Sequence, residues 1–85
     1  MSDDLAPLRA KFVARCAEDL RVVLLGAAAP GLPQVIHRLA GVSGIFGFDD
    51  MGALAQRLDA QEPGFAESDL ELLSSALKAV ASEAC

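Results

Sequence analysis

The 85-residue chain contains no tryptophan, no tyrosine, two cysteines and a single histidine. Each scarcity removes a class of protein. Cys16 and Cys85 stand almost a full chain apart, so a disulfide framework lacks partners and a structural zinc site lacks ligands. Both thiols are expected to be reduced, and no cofactor or metal is expected on this chain. Aromatics amount to 5% of the residues, too few for the aromatic and β-branched packing that favours sheets. Seven basic residues against twelve acidic ones give a formal charge of −5. That is the wrong sign for binding a phosphate backbone, so nucleic acid is not an expected partner. No apolar run approaches the ~20 residues that span a bilayer. Met1-Ser2-Asp3-Asp4 lacks the basic flank and apolar stretch of a signal peptide. A cytoplasmic protein with no membrane partner is the expectation.

What is present is alanine, leucine and helical periodicity. The length suits one domain, 1–85, with one core. From Asp3 to about Leu25, the residues Leu5, Leu8, Phe12, Val13, Cys16, Leu20 and Val23 follow helical spacing, with Ser2 or Asp3 as the N-cap. Gly26 and the stretch Ala27 to Gly31 end that helix, and Pro33 takes an early position in the next. Gly47 stops the second helix. Asp49 or Asp50 is expected to cap a third, whose apolar positions are Phe48, Met51, Leu54, Ala55 and Leu58. Gln61-Glu62-Pro63-Gly64 breaks the pattern. Ser68 with Glu71 then reads as a capping box for a last helix carrying Leu70, Leu73, Leu77 and Val80. The fold class is all-α, an antiparallel up-down four-helix bundle.

Function is most legible between Gln34 and Gly47. At about 100° per residue, Leu32, Val35, Ile36, Leu39, Val42, Ser43 and Phe46 share one side of the second helix. His37 points roughly 160° from the centre of that stripe, so its imidazole should face water. Its neighbours on the outer face are Ala40, Gly41 and Gly44, which leave the ring uncovered. A glycine inside a helix costs about 1 kcal/mol relative to alanine. Two of them on the side away from the core suggest that another macromolecule approaches from outside. Gly41, Gly44 and Gly47 do not form a phosphate-binding loop, for want of a preceding strand and a following lysine.

His37, Leu39, Gly41 and Gly47 together resemble the signature of the histidine phosphotransfer (Hpt) family of bacterial phosphorelays. Its pattern is His, any residue, Leu, Lys, Gly, and a further Gly six residues on. Ala40 replaces the lysine. The resemblance implies a single Hpt-like domain that relays a phosphoryl group, through Nε2 of His37, to or from the aspartate of a response-regulator receiver domain. A hybrid histidine kinase is a further partner it implies. The metal ion, Mg²⁺, and the acidic pocket would belong to the receiver, so this chain would be a phosphocarrier rather than a self-sufficient enzyme.

A neutral imidazole is already nucleophilic, and an exposed one is mostly neutral near pH 7. The binding set proposed around it is Gln34, Arg38, Ala40, Gly41, Gly44 and Ile45, with Leu39 and Gly47 structural and Pro33 on the rim. With the lysine gone, Gln34 or Arg57 could replace it. Arg38 lies about 100° round the helix and reads better as a solvated or salt-bridging residue. Glu18-Asp19, Asp49-Asp50 and the acids near Asp69 read as caps and solvated faces. The rival readings are a helical adaptor with a silent histidine, of which Ala40 is a symptom, and a bundle subunit that dimerises through the Gly41 and Gly44 face. A monomer is expected.

Overall fold

The computed structural model describes residues 6–61 and 64–84. All regular structure among them is helical: α1 (Ala6–Leu24), α2 (Leu32–Val42), α3 (Asp49–Asp59) and α4 (Glu67–Ala81), with 3₁₀ turns at Ser43–Phe46 and Ser82–Ala84. The four expected helices are therefore present. Pro33 falls in the first turn of α2, where a missing N–H costs nothing and the fixed φ suits the helix. Gly47 closes the 3₁₀ turn at φ 89°. That left-handed conformation is open to glycine and costs other residues about 1–2 kcal/mol. Its N–H is donated to Gly44, and the next one, from Phe48, to Ser43, so the chain reverses within two residues.

α2 packs most extensively on α3 and α1 on α4, with α3 also against α4. Between them Cys16, Leu32, Ile36, Leu39, Ala55, Leu58, Leu73 and Leu77 are fully buried. Each large aliphatic side chain there contributes about 1.5–3 kcal/mol of burial. At one end Phe12 stacks near Phe46 and Phe48, at ring centroid distances of 5.2 and 5.7 Å. The guanidinium of Arg9 lies 4.8 Å over the Phe48 ring and also bonds Glu83. This cluster pins the Gly47 reversal to α1.

Several local expectations are overturned. Leu8 is 52% exposed. It lies about 75° from the centre of the α1 stripe, at its margin, when residues advance by about 100°. Asp19 is buried, not solvated. It sits nearer the stripe centre, on an edge that α2 covers. Phe48 rather than an aspartate is the N-cap of α3, and Asp49 and Asp50 fall in the first turn, where they still favour the helix dipole. Ser68 and Glu71 form no capping box, because α4 already begins at Glu67. The side chain of Gln61 accepts the Ala66 N–H at 2.8 Å instead. The expected N-cap at Ser2 or Asp3, Leu5, the Glu62-Pro63 break and Cys85 lie outside the described residues.

Candidate functional site

The His37 side chain is 80% exposed, as a position opposite the α2 stripe requires. Its Nδ1 lies 3.2 Å from Oδ2 of Asp59 at the end of α3. A carboxylate oxygen can only accept, so with an ionised Asp59 this hydrogen bond puts a proton on Nδ1, and in the neutral ring that tautomer leaves the Nε2 lone pair free. Pro33, Gln34 and Asp59 surround the ring in a shallow hollow. Gln34 lines that hollow but makes no hydrogen bond to the ring among the described residues.

One turn on, the outer face of α2 becomes a groove against α3, lined by Ala40, Gly41, Gly44, Gly52, Ala53 and Gln56. A Cβ on Gly41 would meet nothing within 4 Å, so that glycine is not there to admit a helix of this chain. Gly44 differs. A Cβ built on it would stand 3.6 Å from Oδ1 of Asp49, and one on Gly52 would stand 3.5 Å from the Gly44 nitrogen and 3.4 Å from the Ser43 Cβ. Gly44 is exposed, and a Cβ there would make only ordinary contact with the Asp49 side chain, so it lies beside the start of α3 without being required for the approach of that helix. Gln56 donates to the Ala40 carbonyl at 3.4 Å. Ile45 is 62% exposed at the groove's end.

The nearby cations are engaged elsewhere. Arg38 donates to Oδ1 of Asp19 at 2.6 Å, an α2 to α1 pairing in which the carboxylate is 3% exposed. Arg57 donates to Asp69 at 3.1 Å, and Gln61 donates to the same carboxylate at 2.7 Å. In this structure both arginines are paired with these acids rather than with His37. Beneath Arg38, burial pushes the Cys16 thiol up to about 11, the Asp19 carboxylate adds to the rise, and Arg38 opposes it. Among the described residues no three His, Cys, Asp or Glu side chains come together as metal ligands. Nor is any helix of theirs long and apolar enough to cross a membrane.

Leu39, fully buried, and Gly47, at its positive φ, flank this exposed histidine in the spacing noted above. A family model, described as the Hpt domain, matches residues 7–83. The chain belongs to the Hpt domain family. No curated protein and no solved structure matches it.

Hpt domains are helical bundles associated with histidine phosphotransfer in phosphorelays. In this Hpt domain the exposed ring, the small-residue groove and the absent lysine side chain at Ala40 lie on one face formed by α2 and α3. Sequence reasoning missed Asp59. A signal for it existed, since His37 and Asp59 each stand eleven residues from Phe48, where the chain reverses. Residues equidistant from a tight reversal lie level across the two helices, as Ala40 and Gln56 also do. Gly52 carried the same signal, standing four residues from Phe48 as Gly44 does, whereas the burial of Asp19 against α2 had no such mark.

Proposed function

We propose that His37 is the phosphoryl acceptor of this Hpt domain and that its Nε2 exchanges the group with the aspartate of a response-regulator receiver domain. The observation that carries the reading is the chain's one histidine, exposed on α2, with Nδ1 engaged by Asp59. In the forward step the Nε2 lone pair attacks phosphorus, the P–N bond forms, and the P–O bond breaks with its electron pair returning to the aspartate. Return transfer reverses these events. The receiver supplies Mg²⁺ and the acidic pocket, while this chain holds the nucleophile in line on a rigid helix. Ala40, Gly41 and Gly44 admit the receiver's loops, Gln34 is placed to bond a phosphoryl oxygen, and Ile45 with Pro33 adds apolar rim contact. Leu39 and Gly47 hold the helix and its stop. A hybrid histidine kinase upstream, a bacterial cytoplasm and a monomeric carrier complete the reading.

The same reading takes the bundle as antiparallel and up-down. In support, His37 with Asp59, Ala40 with Gln56 and Ser43 with Gly52 step in opposite directions along α2 and α3. Arg9 with Glu83 at one end of α1, and Val23 beside Leu70 at the other, step likewise along α1 and α4.

Ala40 favours one alternative, a phosphorylation-silent adaptor that binds a receiver without accepting its phosphoryl group. Incubation with radiolabelled, phosphorylated receivers and Mg²⁺ separates the two. The proposal expects acid-labile label on the wild type and none on His37→Ala. Binding that survives in both proteins, with label on neither, would establish the adaptor.

A further inference from the structure

The groups facing the His37 ring are few. On its own helix they are Pro33 and Gln34, neither of which titrates, and on α3 the one charged group lining the hollow is Asp59. Arg38 turns to Asp19 on α1, beside Arg15, whose Nε lies 3.9 Å from the same carboxylate. The 3₁₀ turn Ser43–Phe46 carries no charge. Arg57 is held by Asp69 on α4. Among the described residues the ring therefore has one ionic contact, from an acceptor, and that contact is made to the nitrogen that does not react.

We propose that Asp59 is a positioning residue that keeps the proton on Nδ1 after Nε2 has been phosphorylated, so that the phosphorylated ring always leaves as neutral imidazole. The inference rests on the reading of His37 as the acceptor. When a receiver aspartate attacks phosphorus, the P–Nε2 bond breaks and its electron pair returns to the ring. If Nδ1 still carries its proton, the departing group is a neutral imidazole. If that proton has been lost to water, the departing group is an imidazolide anion, a far poorer one. A phosphorylated ring with a protonated Nδ1 bears a positive charge, which the Asp59 carboxylate stabilises by a charge-assisted hydrogen bond. Transfer in either direction then requires no proton movement. Nothing at position 40 competes by supplying a cation on the phosphoryl side, so the charge bias at the ring comes from Asp59.

The half-exposed setting of Asp59 makes the isosteric variant a fair test of charge. Wild type, Asp59→Asn and Asp59→Glu would be phosphorylated with phosphoramidate, a small-molecule donor that needs no receiver. Two quantities would be read against pH: the ¹⁵N shift of Nδ1 in the phosphorylated ring, and the rate of loss of the phosphoryl group to water. At a pH low enough for the Nδ1 signal to show the ring protonated in every variant, the rates should agree. At about pH 8.5 Asp59→Asn should lose its group roughly three- to tenfold more slowly than wild type, the effect of one opposite charge at this range. The Nδ1 signal of that variant should also deprotonate at lower pH. Asp59→Glu should recover part of both effects. Coincident pH profiles for wild type and Asp59→Asn would overturn the inference, whatever the receivers do. Failure of every receiver to label His37, with the profiles still separated, would instead count against the relay reading and leave the proton-holding role of Asp59 intact. Circular dichroism on each variant excludes loss of fold as the cause.

Discussion

Arg38 reaches across from α2 to place its guanidinium 2.6 Å from Oδ1 of the buried Asp19 on α1. The two neighbours in sequence, His37 and Arg38, therefore have opposite tasks: one faces solvent while the other anchors the helix that presents it. Because Arg38 projects about 100° from His37, the ion pair fixes the rotation of α2 about its axis and with it the direction of the imidazole.

Removing Arg38 leaves the buried Asp19 carboxylate with only the longer 3.9 Å contact to the exposed Arg15. Arg38→Ala should therefore destabilise the fold, by up to about 3 kcal/mol, measured by urea denaturation. Replacing both partners, with Asp19→Leu and Arg38→Met together, should recover much of that loss, since an apolar pair of similar volume avoids the desolvation cost.

Gly41 separates stability from docking. Its Cβ position is open, so Gly41→Ala should raise stability by about 0.5–1 kcal/mol through helix propensity. Gly41→Met should fold equally well yet slow transfer from a receiver on the order of 10- to 100-fold, the cost of displacing reacting groups from line. Thermal melts beside single-turnover transfer rates check both halves.

Restoring a cation at position 40 should stabilise the phosphorylated form. Ala40→Lys places an ammonium one turn from His37, at the partly buried edge of the groove, where a charge reaching solvent contributes modestly. The half-life of the phosphohistidine should lengthen about two- to fivefold, with a fall in this effect at high salt. An unchanged half-life would show that position 40 does not reach the phosphoryl oxygens.

Cys16 supplies a pH dependence unrelated to the site. Its thiol rises from an ordinary 9.0 to about 11, chiefly through burial and then through Asp19, so the folded chain holds the proton more tightly than the unfolded one. This contribution is fully present below about pH 9 and is lost as pH rises toward 11. Denaturation midpoints should decline over that window, and Cys16→Ala should lack that part of the decline. At pH 8 the folded thiol should resist iodoacetamide.

The helices, their apolar stripes, the outward His37 and the Gly47 stop were all legible in the chain, because 3.6-residue periodicity and a φ > 0 stop leave local marks. The ends of α3 and α4 were not. Ser68 and Glu71 have the spacing of a capping box, but Gln61, from the preceding turn, accepts the Ala66 N–H, a contact that only tertiary placement of the loop creates. Asp19 looked like a solvated acid because a single stripe does not tell which of its margins a neighbouring helix covers. Asp59 required knowing that the Gly47-Phe48 reversal brings α3 back beside α2 in register. The residues that present the exposed His37 were thus readable locally, and the Asp59 that bonds its ring was a property of two helices together.

The most direct test of the account is ¹⁵N and ³¹P NMR of the protein with isotope-labelled histidine, after phosphoryl transfer from a phosphorylated receiver in the presence of Mg²⁺. Phosphorus-to-nitrogen coupling at Nε2 of His37, with Nδ1 still protonated, is the result expected from the Asp59 contact. Coupling at Nδ1, or a phosphoryl group carried on any other residue, would contradict it.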